Sequence, residues 1–460
     1  MKLRDLIKTN PALQFVADSM ELMSSAGRRV LLASDFLTDA AALEREWERT
    51  AEAVRATQDD ANRRAYTDMC HCLMQLHDLQ GTLASLASHT PLNEVELFEL
   101  KNLADLVRQA RTALDSLGLS DTLPLPDLGE VFALLDPDHT GLTHFYIYDS
   151  YDPRLPDLRR ELKALQTSDG DPQRIAALVA EQNDIQQRVC IHLSDRLFAY
   201  HAALSAAMEQ MAYADVLLAR AELALRWGLT RPTLGDGIVY RGLFNPRLRE
   251  HNRAAGLRYQ PVDIDIAKGV CLITGANMAG KTVLLKSVGT AQQMAQLGMY
   301  APADEAVVTL VDDVATSIGD EQDEMNGLSS FASEIIKISN IIQRCRHERL
   351  LVLVDEPART TNPVEGKALV QALITLLEES SSFSMVTTHY SQLGTSCRRL
   401  RVRGFVEDMC DMPLNPQNIN RFIDYSLTPD TSDEVPQEAL RIAAILGCDP
   451  TLLEHARQAL

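Results

Sequence analysis

Eight residues past the middle of the chain, Gly275-Ala276-Asn277-Met278-Ala279-Gly280-Lys281-Thr282, constrain its fold more than any other stretch. They follow a short apolar run, VCLIT (270–274), and open an amphipathic pattern, KTVLLKSVGTAQQMAQL. A strand, two glycines four residues apart and Lys-Thr at a helix start make up the phosphate-binding P-loop. The glycines let backbone N–H groups close around phosphates, and the helix N-terminus adds a favourable dipole. Lys281 is expected to reach the β- and γ-phosphates, and Thr282 to hold Mg²⁺ through its hydroxyl.

Two further strand ends complete the pattern. The apolar run LLVLV (350–354) delivers Asp355 and Glu356 to the carboxyl end of a buried strand, where ligands gather in parallel α/β sheets. Asp355 is expected at Mg²⁺ or its water, and Glu356 as the group that polarises an attacking water. A third run, FSMVT (383–387), ends in Thr388-His389-Tyr390, and the position of His389 suits contact with the γ-phosphate. Short strands alternating with helical segments beyond residue 230, EAVVTLVDD (305–313) among them, predict an α/β domain with a largely parallel sheet.

Upstream the chain reads as helical. Residues 1–120 place apolar side chains at three- and four-residue spacing. LSDTLPLPDLGE (119–130) is a break, and VFALLD with HFYIYD (131–136 and 144–149) predicts a hairpin around PDHTGLT. That loop shares Asp136, Asp138, Thr140 and Gly141 with half an EF-hand, but Ile147 stands where the bidentate Glu belongs, so a turn is the better reading. A helix starts at Leu155, a polar break (QTSDGDPQ) follows, and a long helical stretch runs from about Arg174 to Trp227. The domains expected are a helical region (1–120), a core with long helices (121–230) and the α/β domain (231–460).

Composition narrows the classes. No apolar run approaches the ~18 residues that span a bilayer, and MKLRDLIKTNPALQF lacks the apolar stretch and cleavage site of a leader, so a cytoplasmic location without membrane partners is expected. Eight scattered cysteines suit a reducing compartment. Cys70, His71, Cys72 and His77 invite a metal reading, but two cysteines one residue apart on a helix point to different faces. The net charge is −20, with 22 basic and 35 acidic residues in 1–230 and 22 and 29 in the remainder. Such a field opposes non-specific nucleic-acid binding, which relies on Lys and Arg.

The three strand-end elements, with TGANMAGKTVLLKSVG (274–289), QLGMYAPADEA (296–306), SIGDEQDEMNGLSSFASEI (317–335), DEPARTTNPVEG (355–366) and TTHY, resemble the MutS family of ABC ATPases. IYDSYDPRLPDLRREL (147–162) and AYADVLLARAELALRWGLTRP (212–232) look like that family's core and lever helices. The resemblance covers roughly residues 100–460 and is closest to the subgroup without a mismatch-reading domain. It implies a helical core and lever domain followed by a P-loop ATPase domain, with ATP and Mg²⁺ as cofactors. It also implies a head-to-tail homodimer enclosing two nucleotides. Ser329 matches the serine that reaches the partner subunit's γ-phosphate, Gln322 a Q-loop-like contact, and Tyr259 the aromatic that stacks on adenine.

Three departures bear on function. The only Phe-x-Glu triplet, Phe405-Val406-Glu407, lies inside the ATPase half and gives no mismatch reader. About 30 residues, 164–193, separate the outgoing helix from the returning one, too few to surround a duplex about 20 Å wide at ~1.5 Å per helical residue. Relatives have glycines at the positions of Ala358 and Thr360, so a loop of altered shape or partner is expected. The loop and the compact clamp look like MutS-related reactivases of cobalamin-dependent lysine or ornithine aminomutases. Two functions are therefore carried forward, an ATPase whose levers act on a protein client and an ATP-switched binder of structured DNA.

Overall fold

The computed structural model describes residues 1–142, 144–167, 171–276, 279–319, 330–406, 419–430 and 439–459. The chain forms two compact units, one of residues 20–34 and 49–222, the other of residues 1–19, 35–48 and 223–460.

The first unit is helical, and its core is lined mainly by Leu and Ala. Its helix Glu94–Leu117 starts with a capping box, in which the Asn93 side chain accepts from the Glu96 N–H and the Glu96 carboxylate from the Asn93 N–H. Gly118 ends it in the left-handed conformation that glycine adopts without a Cβ penalty. Lys101, on this helix, is fully buried. Its Nζ donates to Asp136 Oδ1 at 3.1 Å, to the His144 carbonyl at 3.1 Å and to Tyr148 Oη at 3.0 Å. That cation overrides the hairpin predicted at 131–149. Gly129–Leu135 is a helix, and Asp136 accepts from Thr140 Oγ1 and Gly141 N to close the turn after it. The chain then runs irregularly into a 3₁₀ turn, Asp149–Tyr151.

Helix Leu155–Thr167 is followed after four residues by helix Pro172–Phe198. Ion pairs Arg154–Glu181 (2.5 Å) and Arg174–Glu161 (2.7 Å) fix the two antiparallel, so residues 164–193 are two arms of one hairpin and not a separate insertion. The single stretch expected from Arg174 to Trp227 is two helices, broken at Ala199-Tyr200 before His201–Trp227 begins. Cys70 and Cys72 are buried on helix Arg63–Met74. Among the described residues no group of three or more His, Cys, Asp or Glu side chains is placed to hold a metal ion, and no described helix is long and apolar enough to cross a membrane.

Among its described residues the second unit holds ten strands: β1 (Thr233–Leu234), β2 (Ile238–Leu243), β3 (Val262–Ile266), β4 (Gly269–Thr274), β5 (Glu305–Val308), β6 (Asp313–Ser317), β7 (Leu350–Val354), β8 (Phe383–Thr387), β9 (Arg398–Phe405) and β10 (Ile423–Pro429). A four-stranded sheet has the order β1-β5-β2-β3, and a six-stranded sheet β10-β9-β4-β8-β7-β6. In the larger sheet β9, β4, β8, β7 and β6 are parallel and β10 is antiparallel at the edge. Every residue of β4, β7 and β8 is buried, as expected for strands covered on both faces. The run 305–313, expected as one strand, is two strands in different sheets. The break is held by glutamines of the helix Lys281–Gln296: Gln292 donates to the Thr309 carbonyl and Gln296 to that of Val311, each at 2.8 Å.

That helix is buried along almost its whole length. Segments from the beginning of the chain cover it. Asn10 donates to Thr290 Oγ1 (3.0 Å) and Gln293 Oε1 (2.7 Å), and the Trp47 indole to the Ala295 carbonyl (3.1 Å). Gln296 Nε2 donates to the Leu37 carbonyl at 2.8 Å.

Candidate nucleotide site

The site is built where β4, β7 and β8 end side by side. After β4 the chain turns through Gly275 (φ 143°) and Ala276, and Ala279 and Gly280 (φ 77°) lead into the helix that starts at Lys281. A Cβ on Gly280 would sit 2.8 Å from the Tyr425 ring, so this position needs glycine for its conformation and for space. Asn277, Met278, Gln322 and Ser329 lie outside the described residues.

Lys281 is nearly buried, and its Nζ donates to the carbonyls of Gly275 (2.7 Å) and Ala276 (3.3 Å). The same ammonium lies 3.3 Å from Glu356 Oε1. Thr282 Oγ1 donates to Asp355 Oδ2 at 2.5 Å. Two hard oxygen ligands from separate elements thus meet at a helix N-terminus, the donor chemistry Mg²⁺ takes. Residues present therefore fit both a phosphate chain and its cation.

Thr387, at the end of β8, is a residue of the site that sequence reasoning missed. Its hydroxyl donates to Asp355 Oδ1 at 2.6 Å and accepts the Glu356 N–H at 2.8 Å, so one side chain orients both acids. Glu356 itself has φ 45° and faces Lys281 on one side and Arg359 (3.6 Å) on the other. A cavity of about 210 Å³ opens beside these groups, bordered by Thr282, Asp355, Glu356, Glu334, Lys337 and Arg359.

His389 is half-buried and tilts over Tyr390, with ring centroids 4.2 Å apart. Burial pushes its pKa below the usual imidazole range; the charges of Lys281 and Arg359 push the same way, and that of Glu356 opposes them. A neutral ring at pH 7 keeps one N–H to donate and one acceptor nitrogen. Among the described residues its Nδ1 is buried without a hydrogen-bond partner.

Tyr259 is half-buried, and its hydroxyl accepts the Asn245 N–H at 2.8 Å. The next residue, Gln260, ties this loop to β10 by donating to Asp424 Oδ1 (2.8 Å) and accepting from Tyr425 N (3.3 Å). Tyr425 is the ring that crowds Gly280, so the Tyr259 loop is anchored to the strand that flanks the phosphate loop.

The loop after Glu356 keeps a left-handed residue without glycine. Ala358 is completely buried at φ 58°, so the restriction expected to reshape the loop is met by strain. A left-handed non-glycine residue costs about 1–2 kcal/mol. Ala358→Gly is therefore expected to stabilise the protein by about 1 kcal/mol, read as a higher urea midpoint at unchanged slope. A lower midpoint would show that the alanine is unstrained.

Residues 271–460 match the family model for MutS domain V. The DNA mismatch repair protein MutS of Thermus aquaticus is 31% identical over 235 residues, 51% of this chain and 28% of that protein. Endonuclease MutS2 of Thermus thermophilus is 34% identical over 220 residues, 48% of this chain and 28% of that protein. For Endonuclease MutS2 of Caldanaerobacter subterraneus the identity is 31% over 262 residues, 56% of this chain and 30% of the relative. The chain spans less than a third of the length of each of these relatives. The strand ends that bring Lys281, Thr282, Asp355, Glu356 and His389 together lie within the matched segment. Residues 271–460 accordingly match MutS domain V, the ATPase domain of that family, and about half of the chain is homologous to part of the MutS and MutS2 proteins.

Proposed function

We propose that this chain binds ATP with Mg²⁺ and hydrolyses it to drive motion of its long helices. The observation that carries this reading is the meeting of Lys281, Thr282, Asp355 and Glu356 at one point, joined by bonds of 2.5–3.3 Å. Thr282 and Asp355 would hold Mg²⁺, which when bound would offset the negative charge of the phosphates. Lys281, whose ammonium now rests on loop carbonyls and Glu356, turns to the β- and γ-phosphates at the N-terminus of its helix. Glu356 then accepts a proton from the attacking water, and His389 senses the γ-phosphate. Tyr259 stacks on the adenine.

Two copies make the complete site. Ser329 of one subunit contacts the γ-phosphate held by the other, and Gln322 makes a Q-loop-like contact, in a homodimer that closes on ATP and opens after hydrolysis. Seven described cysteines, all free, suit a reducing cytoplasm.

For the client we favour a protein, such as a cobalamin-dependent aminomutase that needs reactivation. The net charge of −20 and the short hairpin at 155–198 support this reading. Structured DNA is the second reading, supported by relatives named DNA mismatch repair protein and endonuclease. A salt titration separates the two. The protein reading expects no measurable affinity for duplex or branched DNA at about 150 mM salt, whereas the DNA reading expects binding whose logarithm falls steeply and linearly with log salt.

A further inference from the structure

The turn that carries Glu356 is gripped from two sides. Glu356 (φ 45°) and Ala358 (φ 58°) both take the left-handed conformation, with Pro357 between them. Left alone, such a turn relaxes toward ordinary backbone and carries the Glu356 carboxylate away from Lys281. Both polar groups of the Ala358 backbone are engaged. Its N–H donates to the Glu334 carboxylate, 3.3 Å from each oxygen, and its carbonyl accepts the Tyr390 hydroxyl at 2.9 Å.

The surroundings are cut to this arrangement. A Cβ on Gly366 would lie 2.2 Å from Tyr390 Oη and 2.9 Å from the Ala358 carbonyl, so only glycine lets the hydroxyl reach its acceptor. Tyr390 follows His389 directly, and Glu334 sits in the second turn of helix Ser330–Cys345 while bordering the cavity with Asp355 and Glu356. Neither residue belongs to the phosphate loop, the acidic pair or the histidine.

We infer that Glu334 and Tyr390 are positioning residues for Glu356, holding its left-handed turn in the conformation from which the carboxylate faces bound nucleotide. This rests on the reading of Glu356 as the proton acceptor in ATP hydrolysis. The two side chains act through the Ala358 backbone, so they govern the rate of the chemical step and not the binding of nucleotide. What Glu334 must supply is a hydrogen-bond acceptor, which Gln also offers and Ala does not.

The test uses the full chain with MgATP and reads kcat, KM and fluorescent-nucleotide affinity for Glu334→Ala, Glu334→Gln, Tyr390→Phe and Gly366→Ala. Because a misplaced catalytic group costs on the order of 10-fold or more, Glu334→Ala, Tyr390→Phe and Gly366→Ala are expected to lower kcat about 10-fold. KM and nucleotide affinity should stay within about 2-fold of wild type, and Glu334→Gln should keep kcat within about 3-fold. Wild-type kcat in both Glu334→Ala and Tyr390→Phe overturns the inference. So does a Glu334→Gln as slow as Glu334→Ala, because the carboxylate's charge would then be what matters. If the wild-type chain hydrolyses no ATP, the functional reading fails and the inference falls with it. If wild type is active and Glu356→Gln inactive while the positioning variants stay fast, the inference alone fails.

Discussion

Glu356→Gln is expected to slow ATP hydrolysis by about 10²–10⁴-fold, the usual contribution of a positioned proton acceptor. The amide matches the carboxylate in size, so the turn through Glu356 and Ala358 should persist. What is lost is the ability to take a proton from water. Nucleotide binding should survive or tighten, because Lys281 and Arg359, now balanced by this carboxylate at 3.3 and 3.6 Å, would both face the phosphates without it. The variant should therefore retain ATP with Mg²⁺ and accumulate in the closed dimer proposed above, visible by light scattering and nucleotide retention. Turnover within about 3-fold of wild type would place the proton acceptor elsewhere.

Lys101→Met should cost about 3–5 kcal/mol of stability, the penalty for leaving a buried ion without its counter-charge. Lys101 is fully buried and Asp136 nearly so, and the ammonium also lies 5.3 and 5.2 Å from the ring centres of Phe132 and Tyr148. Burial pushes the Asp136 carboxyl up. Hydrogen bonds from Thr140, Gly141 and Lys101, with the Lys101 charge, outweigh it and hold the pKa at about 2. The folded-state value is thus below the unfolded one, so this stabilisation is present above the ordinary carboxylate range and lost as pH falls toward 2. Adding Asp136→Asn to Lys101→Met should recover part of the loss, since Asn keeps the acceptor for Gly141 and carries no charge. Equilibrium urea unfolding measures both, and a single variant within about 1 kcal/mol of wild type would mean that the ion pair contributes nothing.

The parts of this protein legible in its sequence are those where one physical demand dominates. β4, β7 and β8 are read from continuous apolar runs because a strand covered on both faces has no polar side to show. The acids and the P-loop lysine follow from where those runs stop. Thr387 escaped because a hydroxyl at a strand end carries no pattern of its own; only the neighbouring strand reveals what it orients. The hairpin expected at 131–149 failed for a similar reason. Its apolar runs suit a strand, but the Lys101 ammonium, 35 residues before Asp136, decides the backbone there. The break at Ala199-Tyr200 has neither Gly nor Pro to announce it. The run 305–313 holds neither Gly nor Pro, and the cut through it comes from Gln292 and Gln296 on another element.

The seating of Asn10, Leu37 and Trp47 against the helix Lys281–Gln296 also bears on how the polypeptide is made. These residues leave the ribosome long before their partners are translated. Until residues 281–296 emerge, the Trp47 indole lacks its acceptor, the Ala295 carbonyl, and helix Pro11–Ser19 has only part of its native cover, with Trp227 stacked on Phe15. The nucleotide-binding unit must therefore close late, by joining the earliest-made and later-made parts of the chain across a wide sequence separation, a slow step by loop-closure entropy. During that interval the newborn protein is a natural substrate for holding chaperones.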